Sequence, residues 1–274
     1  MKILYNKVSI NFQKDVIFGT FIYGGDKMIT YEVPEILKKY EDTIRKTYRY
    51  SNEISFKREE TKPWESKLGG CPYLKDIEEY PLDEDGDPML FLAQINISDL
   101  EKMDELPEKG LLQFFVMNDD MFGLDNPVVV KYIENYEEDE EFLIKENPYE
   151  NNKEYKSSLP FSHNGKMYFE TREMPISSSI DLFEELFKDE LTAEEYEKLS
   201  DDCYSSDSRV GGYPYFVQHD DLGFDDEDFL LLQLDIDDEC GIMFGDSGNC
   251  VFSIPRDALK NRDFSQVVYD WQCC

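Results

Sequence analysis

The chain has 274 residues, 61 of them acidic and 28 basic, for a formal net charge of −33. A field of that sign repels phosphate backbones and anionic lipid surfaces, so nucleic acid and membranes are excluded as expected partners. A basic protein is the macromolecule it attracts, and 14% aromatic residues supply a core that a disordered chain lacks.

The first stretch, MKILYNKVSINFQ, has neither a long apolar run nor a small-residue cleavage site, so a secretion signal is not expected. No apolar run approaches the ~18 residues of a membrane helix. The six cysteines, at 71, 203, 240, 250, 273 and 274, form no CxxC pair, so reduced thiols in a cytoplasmic protein are expected. Cys240 and Cys250 flank a turn and could meet across a hairpin, but a disulfide there is disfavoured by that compartment.

In chain order, Pro34 suits the first position of a helix that carries Ile36, Leu37, Tyr40, Ile44 and Tyr48 at helical spacing. Residues 89–97, 111–117 and 128–132 read as strands bounded by Gly, Pro or acidic turns. A short helical turn follows Ser98, and the acidic run 137–141 is a solvated loop. Residues 145–165, with Asn147-Pro, Asn151-Asn and Asn164-Gly, read as a polar connector. Helices are expected near 180–188 and 193–201, the second opened by a capping box of Thr192 and Glu195. Strands at 229–236 and 250–254 follow, then a helical turn from Pro255. The expected fold is mainly β, a β-rich α+β protein with a few peripheral helices.

Internal comparison organises these pieces. Gly69-Gly70-Cys71-Pro72-Tyr73 recurs as Gly211-Gly212-Tyr213-Pro214-Tyr215, an offset of 142. The strand around Gln94 answers that around Gln233 at 139, and Gly110, Phe114 and Val116 answer Gly248, Phe252 and Ile254 at 138. Order and spacing agree, so the chain reads as one duplicated domain, 1–274. A lead-in, 1–65, precedes a first β repeat, 66–144; a connector with helices, 145–207, precedes a second, 208–274. Two pseudo-equivalent antiparallel units are expected to form one globule.

Strict alternation along the first repeated strand would put Phe91, Ala93, Ile95 and Ile97 on one face and Leu90, Leu92 and Gln94 on the other. Both faces are largely apolar, so the strand should be covered on both sides. A buried glutamine needs partners for its amide, which makes Gln94 and Gln233 a repeated hydrogen-bonding device. With Gly69, Gly70, Gly211, Gly212 and Asp246 they are the candidate binding positions.

Other motifs weaken on inspection. Gly245-Asp246-Ser247-Gly248 has the letters of a serine-protease nucleophile, but His163 and His219 sit in no partner motif, so a hairpin turn is expected. Asp83, Asp85 and Asp87 begin like a calcium loop, yet Pro88 and Gln94 occupy the places that require Gly and Glu, and the 225–228 acidic cluster lacks the glycine too. No phosphate-binding glycine loop occurs. Catalytic residues, metal ligands and cofactors are therefore none.

The segments KLGGCPYL (67–74), GDPMLFLAQINISDL (86–100), LPEKGLLQFFV (106–116), GGYPYF (211–216), LLLQLDID (230–237) and the terminal WQC (271–273) resemble the YwqG-like family, a bacterial group. The resemblance implies a mainly β, pseudo-twofold protein and supplies no catalytic residues. The expected function is a non-enzymatic acidic binding protein, an inhibitor or immunity-like partner of a basic protein. The alternative is an enzyme or small-ligand binder with a site between the repeats.

Overall fold

A computed structural model describes residues 20–23, 29–101, 103–149, 155, 158–204 and 206–274. The N-terminal stretch 1–13 and the Asn151-Asn152 pair lie outside the described residues. Within them a single sheet runs through twelve strands: β1 (Thr20–Tyr23), β2 (Ile29–Glu32), β3 (Arg49–Lys57), β4 (Lys67–Leu68), β5 (Leu90–Asn96), β6 (Leu111–Val116), β7 (Val129–Ile133), β8 (Gly165–Met174), β9 (Arg209–Gly211), β10 (Asp228–Leu234), β11 (Asn249–Pro255) and β12 (Val268–Gln272). Helices α1 (Glu41–Lys46), α2 (Asp181–Phe187), α3 (Ala193–Asp202) and α4 (Arg256–Lys260) lie outside it. The mainly β expectation holds.

The strand order is β12-β11-β10-β9-β3-β8-β4-β5-β6-β7, with β1 on β2 and β2 parallel to β8; the other pairings are antiparallel. At the centre β3 and β8 pair from Arg49 opposite Met174 to Lys57 opposite Lys166. Each of these long strands is flanked by a short strand from the far part of the chain, since β9 pairs with β3 and β4 pairs with β8. The lead-in and the connector thus each supply a central strand. Neither stands out by hydropathy, because Ser51, Asn52 and Glu53 of β3 are polar yet buried, their backbone groups engaged by neighbours on both sides.

The 34–48 segment also differs from expectation. A 3-10 turn over Glu35–Tyr40 precedes α1, and Pro34 sits just before that turn instead of inside it. Leu37 and Ile44 are buried, whereas Ile36 faces solvent. The capping box at Thr192 forms as expected, with Thr192 accepting from the Glu195 amide and Glu195 bonding back.

All seven residues of β5 and all six of β6 are buried, so both faces of these strands are covered. Simple alternation fails, however. The β5–β6 register shifts between Phe91 and Ala93: Phe91 stands opposite Phe115, while Ala93 stands opposite Phe114. One extra residue turns Phe91 to the face of Gln94, Gln113 and Phe115, away from Ala93 and Ile95. The β10–β11 ladder shifts at Leu230 and Leu232, the positions that the 139-residue offset aligns with Phe91 and Ala93.

The bulges sort the core into layers. On the inner layer Ala93, Ile95 and Phe114 join Leu232, Leu234 and Phe252 in one cluster, and the Phe114 and Phe252 rings meet edge to face at 5.1 Å. The outer layers differ. Phe91 and Phe115 are covered by Leu74, Tyr80 and Met89. Leu230 and Val251 are covered by Phe183 and Phe187 of α2 and Leu199 of α3. Each such aromatic, taken out of water, contributes ~1.5–3 kcal/mol.

Candidate functional site

The two Gly-Gly-x-Pro-Tyr segments each leave the sheet as a shelf, because both glycines of each pair take positive φ, +60 and +73 in the first, +76 and +71 in the second. The Gln94 carboxamide, fully buried, accepts from the Tyr73 amide (2.9 Å) and Gln113 Nε2 (3.0 Å), and donates to the carbonyls of Pro63 (2.7 Å) and Glu65 (3.0 Å). Gln233, equally buried, accepts from the Tyr215 amide (2.8 Å) and donates to the Asp207 carbonyl (2.7 Å). Each glutamine therefore ties the chain before a shelf to the chain after it.

The match reaches one step further back than the Gly pair. Ser66 Oγ accepts from the Asn96 amide at 2.8 Å, and Ser208 Oγ from the Asp235 amide at 2.9 Å. Next comes a buried cation, Lys67 in one half and Arg209 in the other. Sequence reasoning stopped at the glycines and missed all four residues, although the same 142-residue offset pairs them.

The cations are held differently. Lys67 Nζ donates to three carbonyls, Lys62 (2.7 Å), Pro63 (3.2 Å) and Cys71 (3.4 Å), and burial pulls the ammonium down to about 8. Arg209 sits 3.6 Å from Glu53 Oε1 and donates to the Ser206 carbonyl and Met174 Sδ. Burial raises Glu53 against the opposing pull of Arg209.

The shelves also differ in what lies over them. Gly69 and Gly70 border a cavity of about 490 Å³ whose base holds Phe91, Asn147, Tyr155 and Phe161, with Ser162, His163 and Asn164 at its exposed mouth. The base is fixed by one hydroxyl hub: Tyr155 Oη accepts from the Phe91 amide (2.9 Å) and Asn147 Nδ2 (3.4 Å), and pairs with Tyr80 Oη (2.7 Å). Asn147 Nδ2 also donates to the Gly70 carbonyl at 3.1 Å. Gly69 must be glycine here twice over, since a Cβ would lie 2.4 Å from Asn164 Oδ1 and 2.6 Å from the Phe161 ring. At the second shelf Gly212 borders a smaller opening, about 170 Å³, beside Arg49, Glu105 and Arg256, and a Cβ on Gly211 would meet Met103 Sδ at 2.8 Å and the Tyr50 carbonyl at 2.9 Å.

A second opening, about 800 Å³, follows the β3–β8 seam. Glu53, Glu170, Asp207, Asp237, Asp238 and Glu239 line it, with Arg172 the cationic side chain among the described residues of its lining. Glu53 and Glu170 are direct cross-strand partners, and Glu53 also stands opposite Arg209 on β9. Arg172 bonds Glu170 at 3.2 Å through its terminal nitrogen, while its Nε is buried with no hydrogen-bond partner.

The remaining candidates fall elsewhere. Asp246 and Ser247 are exposed on a turn closed by the Phe244–Gly248 bridge, Ser247 at φ +65, as the turn reading expected. Asp83 spends Oδ1 on the amides of Asp85 and Asp87, at 3.0 and 2.8 Å. Among the described residues no group of three or more His, Cys, Asp or Glu is placed to hold a metal ion. Burial pushes Cys240 up to about 11. Among the described residues no helix is long and apolar enough to cross a membrane.

Residues 66–273 match the family described as Domain of unknown function (DUF1963), and the chain belongs to that family. No curated protein matches it.

Proposed function

We propose that this DUF1963 member is a YwqG-like, cytoplasmic, non-enzymatic binding protein built from one duplicated unit, and that a basic protein engages its acidic seam cleft. The observation that supports this most is Glu53 opposite Glu170 on the central ladder, walled by four further carboxylates. Arg209 answers Glu53 and Arg172 answers Glu170, so the carboxylates left for a basic partner to meet are Asp207, Asp237, Asp238 and Glu239 along the wall. The net charge of −33 would steer such a partner in and make the association salt-sensitive. The repeated glutamine, serine and Gly-Gly contacts support descent from one duplicated unit.

The test uses a fluorescent octa-arginine peptide and anisotropy at two salt concentrations. A cleft variant, Glu170→Gln with Asp238→Asn and Glu239→Gln, should bind it at least tenfold more weakly than wild type. A control variant with the same charge change on the distant acidic loop, Glu137→Gln with Glu138→Gln and Asp139→Asn, should bind nearly as wild type does. Equal weakening in both would reduce the cleft to general attraction by the field and defeat the reading.

A further inference from the structure

The opening at the second shelf brings two arginines together in a chain where 61 acids outnumber 28 bases. Arg49 opens β3, Arg256 opens α4, and both line the opening beside Gly212. Each guanidinium lies over a ring, Arg49 at 4.1 Å from the centre of Tyr213 and Arg256 at 5.7 Å from that of Phe229. Carbonyls of one turn, 225–228, fix both: Arg49 donates to Asp225 and Asp228 at 3.4 Å each, and Arg256 Nε to Asp226 at 3.0 Å. The acidic turn thus sets two cations side by side. Burial above all, with the charge of Arg256 adding to it, lowers the Arg49 guanidinium. An anion between the two would relieve both.

The carboxylates that answer these arginines face water. Asp226 reaches Arg49 at 2.9 Å with its side chain 73% exposed, and Glu105 reaches Arg256 at 2.6 Å with 40% exposed. Ion pairs that open to solvent contribute little, so a ligand anion can take the place of one. Glu105 lines the opening itself, which makes its carboxylate a stand-in for such an anion. Among the described residues the second terminal nitrogen of Arg256 meets no acceptor, which leaves it donors for a ligand.

Size and shape narrow the ligand. About 170 Å³ is less than the ~300 Å³ at which whole small-molecule sites begin, so one chemical group enters and the rest of a larger molecule stays outside. A planar guanidinium fork matches carboxylate and phosphate oxygens, and a tetrahedral dianion can meet two forks at once. The net charge of −33 repels an anion at long range, so its affinity must come from these contacts.

We propose that the opening at the second shelf is a binding site for a phosphate group, free or carried on an ester, held between Arg49 and Arg256 in the place of the Glu105 carboxylate. The inference does not depend on the acidic seam cleft, which is lined by other residues.

The test is isothermal titration calorimetry on the full chain with inorganic phosphate and O-phosphoserine, beside acetate. At least one phosphate compound should bind saturably, and acetate at least tenfold more weakly. Whichever phosphate compound binds more tightly tells a free ion from an esterified group. Arg256→Gln should weaken phosphate about tenfold, the loss of a charged hydrogen bond. Arg262→Gln, the same charge change on the exposed Arg262–Glu134 pair, should leave the affinity nearly unchanged. Glu105→Gln should tighten phosphate about threefold, a gain that a misfolded chain does not give, while Glu134→Gln should not. Three results would overturn the proposal: no saturable binding of either phosphate compound, acetate bound as tightly as phosphate, or Arg256→Gln and Glu105→Gln behaving as their two controls do.

Discussion

The two shelves share a frame and differ in use. In both, a serine hydroxyl accepts an amide from the neighbouring strand, a buried cation follows, and a glutamine ties the flanking chain together. In the first half the cation is Lys67, held by carbonyls, and the shelf borders a cavity of about 490 Å³. In the second the cation is Arg209, set against Glu53, and the shelf borders a smaller opening of about 170 Å³ that Arg49, Glu105 and Arg256 help to line. The difference teaches that one backbone geometry with its hydrogen bonds is compatible with two electrostatic surroundings and two degrees of access.

The largest expected effect lies in the second half. Arg209→Met strands the Glu53 carboxylate in the interior and should cost ~3–5 kcal/mol in urea unfolding, because a buried charge loses its partner. Adding Glu53→Gln should restore much of that stability. Lys67→Met strands no carboxylate, only three carbonyls, and should cost ~1–3 kcal/mol. Equal costs for the two single variants would break the contrast between the halves.

The next effect is one of pH. Lys67 falls from 10.5 to about 8 on folding, so between those values the unfolded chain binds more protons than the folded one. Stability then rises with pH across that window, and the burial penalty present below pH 8 is relieved, by up to about 3 kcal/mol at full titration. Wild type minus Lys67→Met, measured by urea unfolding from pH 7.5 to 10.5, isolates the effect. A difference that stays flat or falls would show that the three carbonyls hold the ammonium against desolvation.

Much of this frame was legible because it is local and repeated. The Gly-Gly segments needed positive φ, and the glutamines recurred in apolar strands where an amide demands partners. The strands expected at 89–97, 111–117 and 229–236 and the helix capped by Thr192 with Glu195 form where expected, whereas the helix expected from Pro34 to Tyr48 breaks into a 3-10 turn and a short α-helix. The central ladder was not legible, since β3 carries the polar run Ser51-Asn52-Glu53 and β8 the polar run Glu170-Thr171-Arg172-Glu173, and both gain their burial from distant partners. Nor was the face of Phe91, because one bulge residue inverts the alternation and nothing in the run announces it. The cavity depends on the 159–164 segment folding back over Gly69, a contact between residues about ninety positions apart. The seam cleft arises where β3 loses its β9 neighbour after Glu53.

The central claim, one glutamine-locked frame used twice, is tested most directly by native-state hydrogen exchange at the Tyr73 and Tyr215 amides. Each donates to its own glutamine, Tyr73 to Gln94 at 2.9 Å and Tyr215 to Gln233 at 2.8 Å. Gln94→Leu should cost ~1–3 kcal/mol and unprotect Tyr73 while leaving Tyr215 slow, and Gln233→Leu should do the reverse at similar cost. Both amides staying protected in both variants, or both opening together in either one, would contradict the account.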